Sequence, residues 1–390
     1  MMNVLTIFKQ FFLLGWISFG GPAAHIGYFR TTFVDKLNWL SDKDYAQLVA
    51  LSQFLPGPGS SQVGFALGYQ RGGLAGAIAA FCGFTLPSVL LMLALAILSN
   101  SVTDSTLFQG VIHGLKLLAV VVVADATLSM AGNFCRTKLT SAIAVATAAV
   151  LLFMPGLWSQ TGVLILAAIS GFIWLKSRTV NLDAEDVPEK TSVNAAHIPL
   201  ILFVVLLFGL PLLAHLSLAV KIFSDFYQAG SLVFGGGHVV LPLLQNIVGD
   251  QLSNDSFISG YAAAQAVPGP MFTLATYLGY QLLPETPIIG ALIATASVFL
   301  PGFLLLLGVL KNWHLLAENP SLSGAINGVN AAVVGLLLSA LYQPVFISAV
   351  HSATDFALVI SGFFLLRILK LPIMGLVGLA IIGGVLESAF

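Results

Sequence analysis

Residues 51–70, LSQFLPGPGSSQVGFALGYQ, place a Pro-Gly-Pro-Gly break in the middle of an otherwise apolar segment. A helix does not continue through such a break, because proline lacks the backbone donor and clashes with the preceding turn. The pattern returns at residues 263–281 as AAQAVPGPMFTLATYLGYQ. Inside a membrane, an interrupted helix is tolerated only where its backbone is buried in protein or lines a cavity. Two such breaks in one chain therefore predict a functional site that the broken helices form.

The composition is that of an integral membrane protein. Of the 390 residues, 58% are hydrophobic and only 8% are charged, whereas a soluble protein carries about 25% charged residues. The apolar runs are long and continuous, which favours membrane helices over an alternating β-barrel. The net charge of −1 gives no indication of nucleic-acid binding. Two cysteines in apolar or juxtamembrane sequence offer no disulfide framework or Cys-based metal site, and we expect no cofactor.

The order of segments predicts two similar halves. Broken hairpins over residues 4–33 and 44–70 precede four spans, a polar linker and one further span, after which the first pattern restarts. We therefore divide the chain into an N-terminal repeat (1–175), a linker (176–197), a connecting transmembrane helix (198–218) and a C-terminal repeat (219–390). The four spans of the first half are predicted at 73–99, 107–131, 139–155 and 158–176.

Five ordered sequence matches indicate an internal duplication. Each motif recurs after 211 to 215 residues, and this small drift is typical of loop changes after a duplication. The matches are Phe19-Gly20-Gly21 with Phe234-Gly235-Gly236, Gln53 and Pro56-Gly57-Pro58 with Gln265 and Pro268-Gly269-Pro270, Leu67–Gln70 with Leu278–Gln281, Leu86-Pro87 with Leu300-Pro301, and Gly114 with Gly328.

The distribution of basic residues predicts the orientation of the halves. If the hairpins are re-entrant and the N-terminus and linker are cytoplasmic, thirteen of the fifteen Lys and Arg residues fall on or near the cytoplasmic side. The lone span at 198–218 then inverts the second repeat relative to the first. The alternative, in which the hairpins cross the membrane, weakens the bias of basic residues without reversing it.

Inverted repeats with broken helices are typical of secondary transporters, whose site lies at the repeat interface. The start of a half-helix presents unpaired N–H groups and a positive dipole end, both of which suit an anion. Small, hydroxyl or amide residues flank each break, and one cation, Lys116, lies inside the 107–131 span. The predicted substrate-binding residues are Gly20, Gly21, Gln53, Gly57, Gly59, Ser60, Ser61, Gln62, Lys116, Gly235, Gly236, Gln265, Gly269 and Thr273.

Three titratable residues are candidates for proton coupling. His25 and His238 follow the two glycine-rich breaks, and histidine titrates near neutral pH. Asp125 shares the 107–131 span with Lys116, but nine residues separate them, which places their side chains on opposite faces of the helix. Structural alternatives stay open: the histidines and glutamines could satisfy helix-end carbonyls, and Asp125 could lie near the cytoplasmic end of its span.

The motifs FGGPAAH (residues 19–25), QFLPGPGSSQ (53–62), FGGGHVVLPLL (234–244) and QAVPGP (265–270) resemble those of the chromate ion transporter family. The resemblance covers nearly the whole chain and implies a long, two-domain member. It implies a bacterial inner-membrane antiporter that exports chromate by using the proton gradient and so confers chromate resistance. Sulfate, which has the same shape and charge as chromate, is the implied competitor.

Two other classes of function are weighed against this interpretation. An anion channel could use the same half-helix geometry, and so could an importer or exchanger of sulfate or another small oxyanion. A membrane-embedded enzyme would need a metal-binding or nucleophilic cluster, which the sequence does not offer. The expected partners are thus the oxyanion, protons and the lipid bilayer, with the oligomeric state, a homodimer included, left open.

Overall fold

A computed structural model describes residues 3–19, 21–101, 106–175, 197–234, 240–248, 251–310 and 320–389 of the chain. The described residues form helices joined by short turns. Most of the predicted linker, residues 176–196, lies outside the described part.

The helices of the first half are α1 (Val4–Ile17), α2 (Gly21–Phe29), α3 (Asp42–Phe54), α4 (Gly59–Ser101), α5 (Thr106–Phe134), α6 (Lys138–Phe153) and α7 (Leu157–Trp174). A π-helical stretch, Arg30–Lys36, extends α2. The connecting helix is α8 (His197–Leu213). Ser217 caps the next helix, so the predicted span at 198–218 ends earlier than expected.

The helices of the second half are α9 (Leu218–Leu232), α10 (Val240–Val248), α11 (Asn254–Ala266), α12 (Leu274–Leu282), α13 (Pro287–Val309), α14 (Pro320–Ala340), α15 (Ala353–Arg367) and α16 (Ile373–Ala389). Within the described residues, four helices are long and apolar enough to cross a membrane: Gly59–Ser99, Gln109–Phe134, Pro287–Val309 and Pro320–Ala349. Shorter apolar helices accompany them, so the expectation of an all-α membrane protein with several spans is confirmed.

Both predicted breaks at Pro-Gly-Pro are present. In the first half, α3 ends at Phe54 and α4 begins at Gly59. Ser41 is the N-cap of α3, since its hydroxyl accepts from the Asp44 N–H at 3.1 Å. In the second half, α11 ends at Ala266, and a 3₁₀ turn at 271–273 leads into α12.

The arms of the first two hairpins fold back on themselves. The Phe11 ring of α1 stacks on Phe33 with 4.7 Å between ring centres. Helix α4 turns sharply at Gly72 and at Gly73, whose φ is +61°. The guanidinium of Arg71, just before this turn, lies 5.9 Å from the ring centre of Trp39, just before α3. The α3–α4 hairpin therefore begins and ends at the same end of the molecule.

Glycines at matched positions make matched helix contacts, which supports the duplication. A Cβ on Gly68 would meet the Gly76 carbonyl, and one on Gly279 would meet the Gly290 carbonyl. Both pairs bring a half-helix close to the long helix that follows it, as small residues do in membranes. A second matched set brings together Gly114 with Ala380, and Gly328 with Ala167.

The last two helices of each half pack against the other half. In the first half, α5 packs against α15 and α16, whereas in the second half α14 packs against α6 and α7. The two repeats are thus interlocked, so neither would keep all of its helix contacts without the other.

Candidate functional site

The ends of four helices meet between the two repeats. The backbone N–H of Gly57 donates to the carbonyl of Val233 at 2.7 Å, and that of Gly269 donates to the carbonyl of Ser18 at 2.8 Å. Gly57 and Gly269 are repeat equivalents, as are Ser18 and Val233. Each Pro-Gly-Pro break is therefore hydrogen-bonded to the end of the first helix of the opposite repeat.

Both central glycines need the conformational freedom of glycine. Gly57 has φ +122° and Gly269 has φ +96°, values that L side chains rarely adopt. A Cβ on Gly57 would lie 2.9 Å from the Gly302 Cα, and one on Gly269 would lie 2.6 Å from the Ser88 Oγ. Gly302 and Ser88 are themselves repeat equivalents, so the two breaks approach matching points of α13 and α4.

The first half-helix, at the start of α4, presents several unused donors. Within the described part of the chain, the backbone N–H groups of Gly59, Ser60 and Ser61 have no acceptor. The Ser61 hydroxyl is also buried without a hydrogen-bond partner. Unpaired donors at a helix N-terminus favour a negative charge at that position. The structure thus brings together three of the predicted site residues here.

The Gln62 side chain, a predicted anion ligand, contacts the backbone of both repeats. Its side-chain amide donates to the carbonyl of Pro56 at 2.9 Å and to that of Gly302 at 3.0 Å. Both amide hydrogens are therefore used, and the remaining oxygen is an acceptor that would repel an anion. The geometry assigns Gln62 to bracing the first break against α13 of the second repeat.

The Thr273 hydroxyl also forms a hydrogen bond with the backbone. Its Oγ1 donates to the carbonyl of Pro270 at 2.8 Å, which closes the 3₁₀ turn after the second break. The unused donors there are the backbone N–H groups of Met271 and Phe272, which have no acceptor in the described part. A half-helix begins at this break as predicted, but the unused hydrogen-bond donors there are backbone N–H groups rather than the Thr273 hydroxyl.

A small cleft of about 20 Å³ lies beside the second break. This is room for about one water molecule. Its lining includes the predicted residues Gly21, Gln265 and Gly269, together with Ala264, Val267, Met271 and Ile373. The Gln265 side chain is only 8% exposed, and its Nε2 donor has no partner. None of the described residues that line the cleft carries a charge.

His25 connects the two breaks. Its Nε2 lies 3.1 Å from the carbonyl oxygen of Ser18, the same oxygen that accepts from Gly269. Since a carbonyl only accepts, Nε2 carries a hydrogen. Its Nδ1 lies 3.1 Å from the Ser60 Oγ at the start of the first half-helix. The fully buried imidazole thus links the first half-helix to the second break.

The two predicted ionisable residues of α5 lie in different surroundings. Lys116 is buried, and α5 packs against α11, the helix that carries Gln265. Asp125 forms an ion pair with Arg367 of α15 at 2.6 Å, so it does not pair with Lys116. This ion pair favours a structural role for Asp125, and proton coupling there stays a prediction.

The two repeats differ at their equivalent glutamines. Gln53 on α3 is exposed, whereas Gln265 on α11 is buried. The exposed face of α3 also carries Lys43, Ala46 and Ala50, while α11 packs against α5. Only the second-repeat glutamine therefore lines the cleft. Four further candidates, Gly20, Gly235, Gly236 and His238, lie outside the described residues.

Sequence reasoning missed Ser18, Val233 and Ser88. Ser18 and Val233 act through their carbonyl oxygens, and their side chains gave no signal for that role. Their positions directly before the duplicated Phe-Gly-Gly motifs were the only available indication. Ser88 follows the duplicated Leu-Pro pair, where the second repeat has Gly302.

The comparison with known proteins agrees with this architecture. The model of the chromate transporter family matches residues 5–173 and 220–386, and the chain belongs to this family. A chromate transport protein of Cupriavidus metallidurans is 28% identical over 96% of this chain and 90% of its own length.

Two further relatives cover most of both chains. A chromate transport protein of Pseudomonas aeruginosa is 28% identical over 86% of this chain and 80% of its own. An uncharacterized transporter of Methanocaldococcus jannaschii is 29% identical over 86% and 83%. No solved structure matches the chain.

Proposed function

We propose that this member of the chromate transporter family is a secondary transporter that exports chromate, or a sulfate-like oxyanion, across the inner membrane. The observation that carries the proposal is the meeting of two broken helices, one from each repeat, at a cleft whose free side-chain donor is Gln265. Broken helices at a repeat interface are the common design of transporter sites.

The chemistry of the cleft suits an anion that accepts hydrogen bonds. The unused backbone donors at Met271 and Phe272 and the Gln265 amide all belong to neutral groups. Neutral donors and helix dipoles can hold an oxyanion, as helix N-termini do for sulfate and phosphate. Lys116, on a helix that packs against α11, would supply long-range attraction.

The proposed membrane arrangement has re-entrant hairpins and inverted repeats. The contact between Arg71 and Trp39 supports a hairpin that enters and leaves on one face. Cysteines introduced at Lys43, at the start of α3, and at Glu285, between α12 and α13, should react with impermeant maleimide from opposite sides of the membrane. Labelling of both from the same side would contradict the inversion.

Two observations favour a carrier over a channel. The cleft that the described residues form has room for about one water molecule, which is too narrow for an open anion pathway. The equivalent helices α3 and α11 also differ in burial, as expected when one side of a carrier is open and the other closed. His25, which connects both breaks, is the proposed site of proton coupling.

Transport into everted membrane vesicles tests the proposal. Vesicles with an acidic lumen should take up radiolabelled chromate, and excess sulfate should compete. The Gly269→Ala variant should lose this uptake, whereas Gly27→Ala, whose Cβ would meet nothing within 4 Å, should retain it. Uptake that ignores the pH gradient would contradict coupling to protons, and uptake of sulfate but not chromate would assign a different substrate.

A further inference from the structure

A second and larger cavity lies away from the breaks, between α5, α15 and α16. It encloses about 240 Å³ and is half open to the outside of the helix bundle. Its lining is almost wholly aliphatic, with leucines, Val121, Ala380 and four glycines, and with Ser361 as its one hydroxyl residue. The cavity is distinct from the proposed anion site, since the two share no lining residue.

The equivalent position in the other half is filled. There α14 packs closely on α6, since a Cβ on Gly335 would meet the Ala144 carbonyl and lie 2.7 Å from the Thr147 Cβ. In the first half, Val121 stands at the position of Gly335 and lies against α15, where a Cβ on Gly362 would be 3.1 Å from the Val121 Cγ2. At this matched point, the α14–α6 interface is close-packed, whereas the α5–α15 interface borders the cavity.

A hydrogen bond between a histidine and a carboxylate lies at one end of the α5–α15 interface, and an ion pair lies at the other. The His113 Nε2 lies 2.8 Å from the Asp355 Oδ1, and Asp125 pairs with Arg367 at 2.6 Å. On each helix, the two residues that make these contacts are twelve positions apart, which corresponds to about 18 Å of helix. The two helices therefore run in the same direction, with these two contacts at either end and the cavity between them.

One end of this interface is basic. Arg367 is the last residue of α15, and Lys370 lies in the turn that leads to α16; both are exposed. Arg136 and Lys138 follow α5 toward the same end of the parallel pair and are also exposed. The turn that carries Lys370 joins the cavity-lining residues Leu365 and Leu376.

We propose that this cavity binds one acyl chain of an anionic phospholipid, whose phosphate lies at Arg367 and Lys370. An aliphatic cavity of this kind does not hold water, and an empty one forfeits dispersion contacts along its walls. The cavity exceeds the ~150 Å³ that accommodates benzene, so it takes a segment of a lipid chain. Basic residues beside transmembrane helices attract anionic lipid headgroups.

A cavity-filling variant with a matched control tests the acyl-chain site. Both Gly383 and Gly378 lie on α16, and a Cβ on either meets nothing within 4 Å. Gly383 lines the cavity and Gly378 does not. Native mass spectrometry of delipidated protein with added phosphatidylglycerol should show strong binding to the wild type and to Gly378→Leu, and several-fold weaker binding to Gly383→Leu. Equal binding to both variants would overturn the proposal.

The headgroup contact has its own test. Lys370→Gln should weaken phosphatidylglycerol binding about fivefold, the equivalent of one basic residue near the lipid, and should leave phosphatidylcholine binding unchanged. Lys43→Gln, an exposed lysine on α3, is the matched control and should change neither. If Lys370→Gln weakened the binding of phosphatidylglycerol and of phosphatidylcholine equally, the placement of the phosphate at Lys370 would be overturned.

Photo-crosslinking covers the case in which Gly383→Leu does not fold. Phosphatidylglycerol with a diazirine in its acyl chain should label peptides of α5, α15 and α16 in the wild-type protein. Labelling only at other helices, or protection of these peptides by a second copy of the chain, would overturn the proposal. All of these measurements are independent of transport, so they succeed or fail separately from the proposed function.

Discussion

The backbone N–H of Gly269 lies 2.8 Å from the carbonyl oxygen of Ser18, and the His25 Nε2 lies 3.1 Å from the same oxygen. One carbonyl therefore joins the break of the second repeat to the histidine of the first. Among the described residues no histidine joins the equivalent contact between Gly57 and Val233; Val240 stands at the position of His25, and His238 lies outside the described part. The two breaks are similar in geometry but different in chemistry.

The Gly269→Ala substitution should lower the rate of chromate transport tenfold or more. An alanine there adopts a left-handed conformation at a cost of about 1–2 kcal/mol, and its Cβ meets the Ser88 Oγ at 2.6 Å. The break then moves away from Ser18. Initial uptake rates in vesicles measure the loss, where tenfold corresponds to ~1.4 kcal/mol.

A second substitution separates the steric effect from the effect of φ. Adding Ser88→Gly to Gly269→Ala removes the Ser88 Oγ and Cβ, the two atoms nearest to the new methyl group, and should restore part of the activity. Full activity of Gly269→Ala, with normal amounts of protein in the membrane, would contradict the importance of this contact.

Gln265→Leu should weaken the binding of chromate far more than Gln53→Leu. A hydrogen bond to a charged ligand contributes about 1.5–3 kcal/mol, so removing the Gln265 donor should raise the KM roughly 10- to 150-fold. Gln53 is its repeat equivalent, but it is exposed and does not line the cleft. Equal changes of KM in the two variants would place the anion between the glutamines rather than beside Gln265.

The fold was largely predictable because its signals are repeated and strong. The Pro-Gly-Pro breaks, the apolar spans and the duplicated motifs each follow from local rules for membrane helices. The packing between the halves was not predictable. Nothing in the sequences of α5 and α14 indicates that α5 packs against α16 and that α14 packs against α7. Such packing depends on glycines such as Gly114 and Gly328, whose role appears only in three dimensions.

The candidate site was predictable in position but less so in detail. Sequence equivalence treats Gln53 and Gln265 alike, yet only one is buried, because the two hairpins pack differently. Gln62 and Thr273 have suitable chemistry, but their donors satisfy carbonyls that the breaks leave unpaired. Broken helices create such unpaired carbonyls, and a nearby side chain that satisfies one is no longer available to a ligand.

His25→Gln should separate proton coupling from anion binding. In the neutral imidazole, Nε2 donates to Ser18, so Nδ1 accepts from the Ser60 hydroxyl. A proton added at Nδ1 reverses this bond and places a positive charge at the start of the first half-helix. Glutamine cannot take up that proton, so the variant should retain exchange of labelled for unlabelled chromate but lose uptake driven by a pH gradient.

The exposed His215 provides the control for this experiment. His215→Gln removes a histidine between α8 and α9 and should leave both exchange and gradient-driven uptake unchanged. Gradient-driven uptake that survives in His25→Gln would contradict a coupling role for His25.

Gln62→Leu should lower the stability of the protein rather than its affinity for the anion. The substitution removes two hydrogen bonds that join the first break to the Pro56 and Gly302 carbonyls. Each bond contributes about 1 kcal/mol, and the carbonyls are left without these donors. The melting temperature in detergent should therefore fall, while the KM for chromate should change little. Ser61→Ala is the matched control, because its hydroxyl is buried without a partner and its loss should leave the melting temperature nearly unchanged. A large rise of KM in Gln62→Leu at unchanged stability would return Gln62 to the anion site, since a brace cannot produce that pattern.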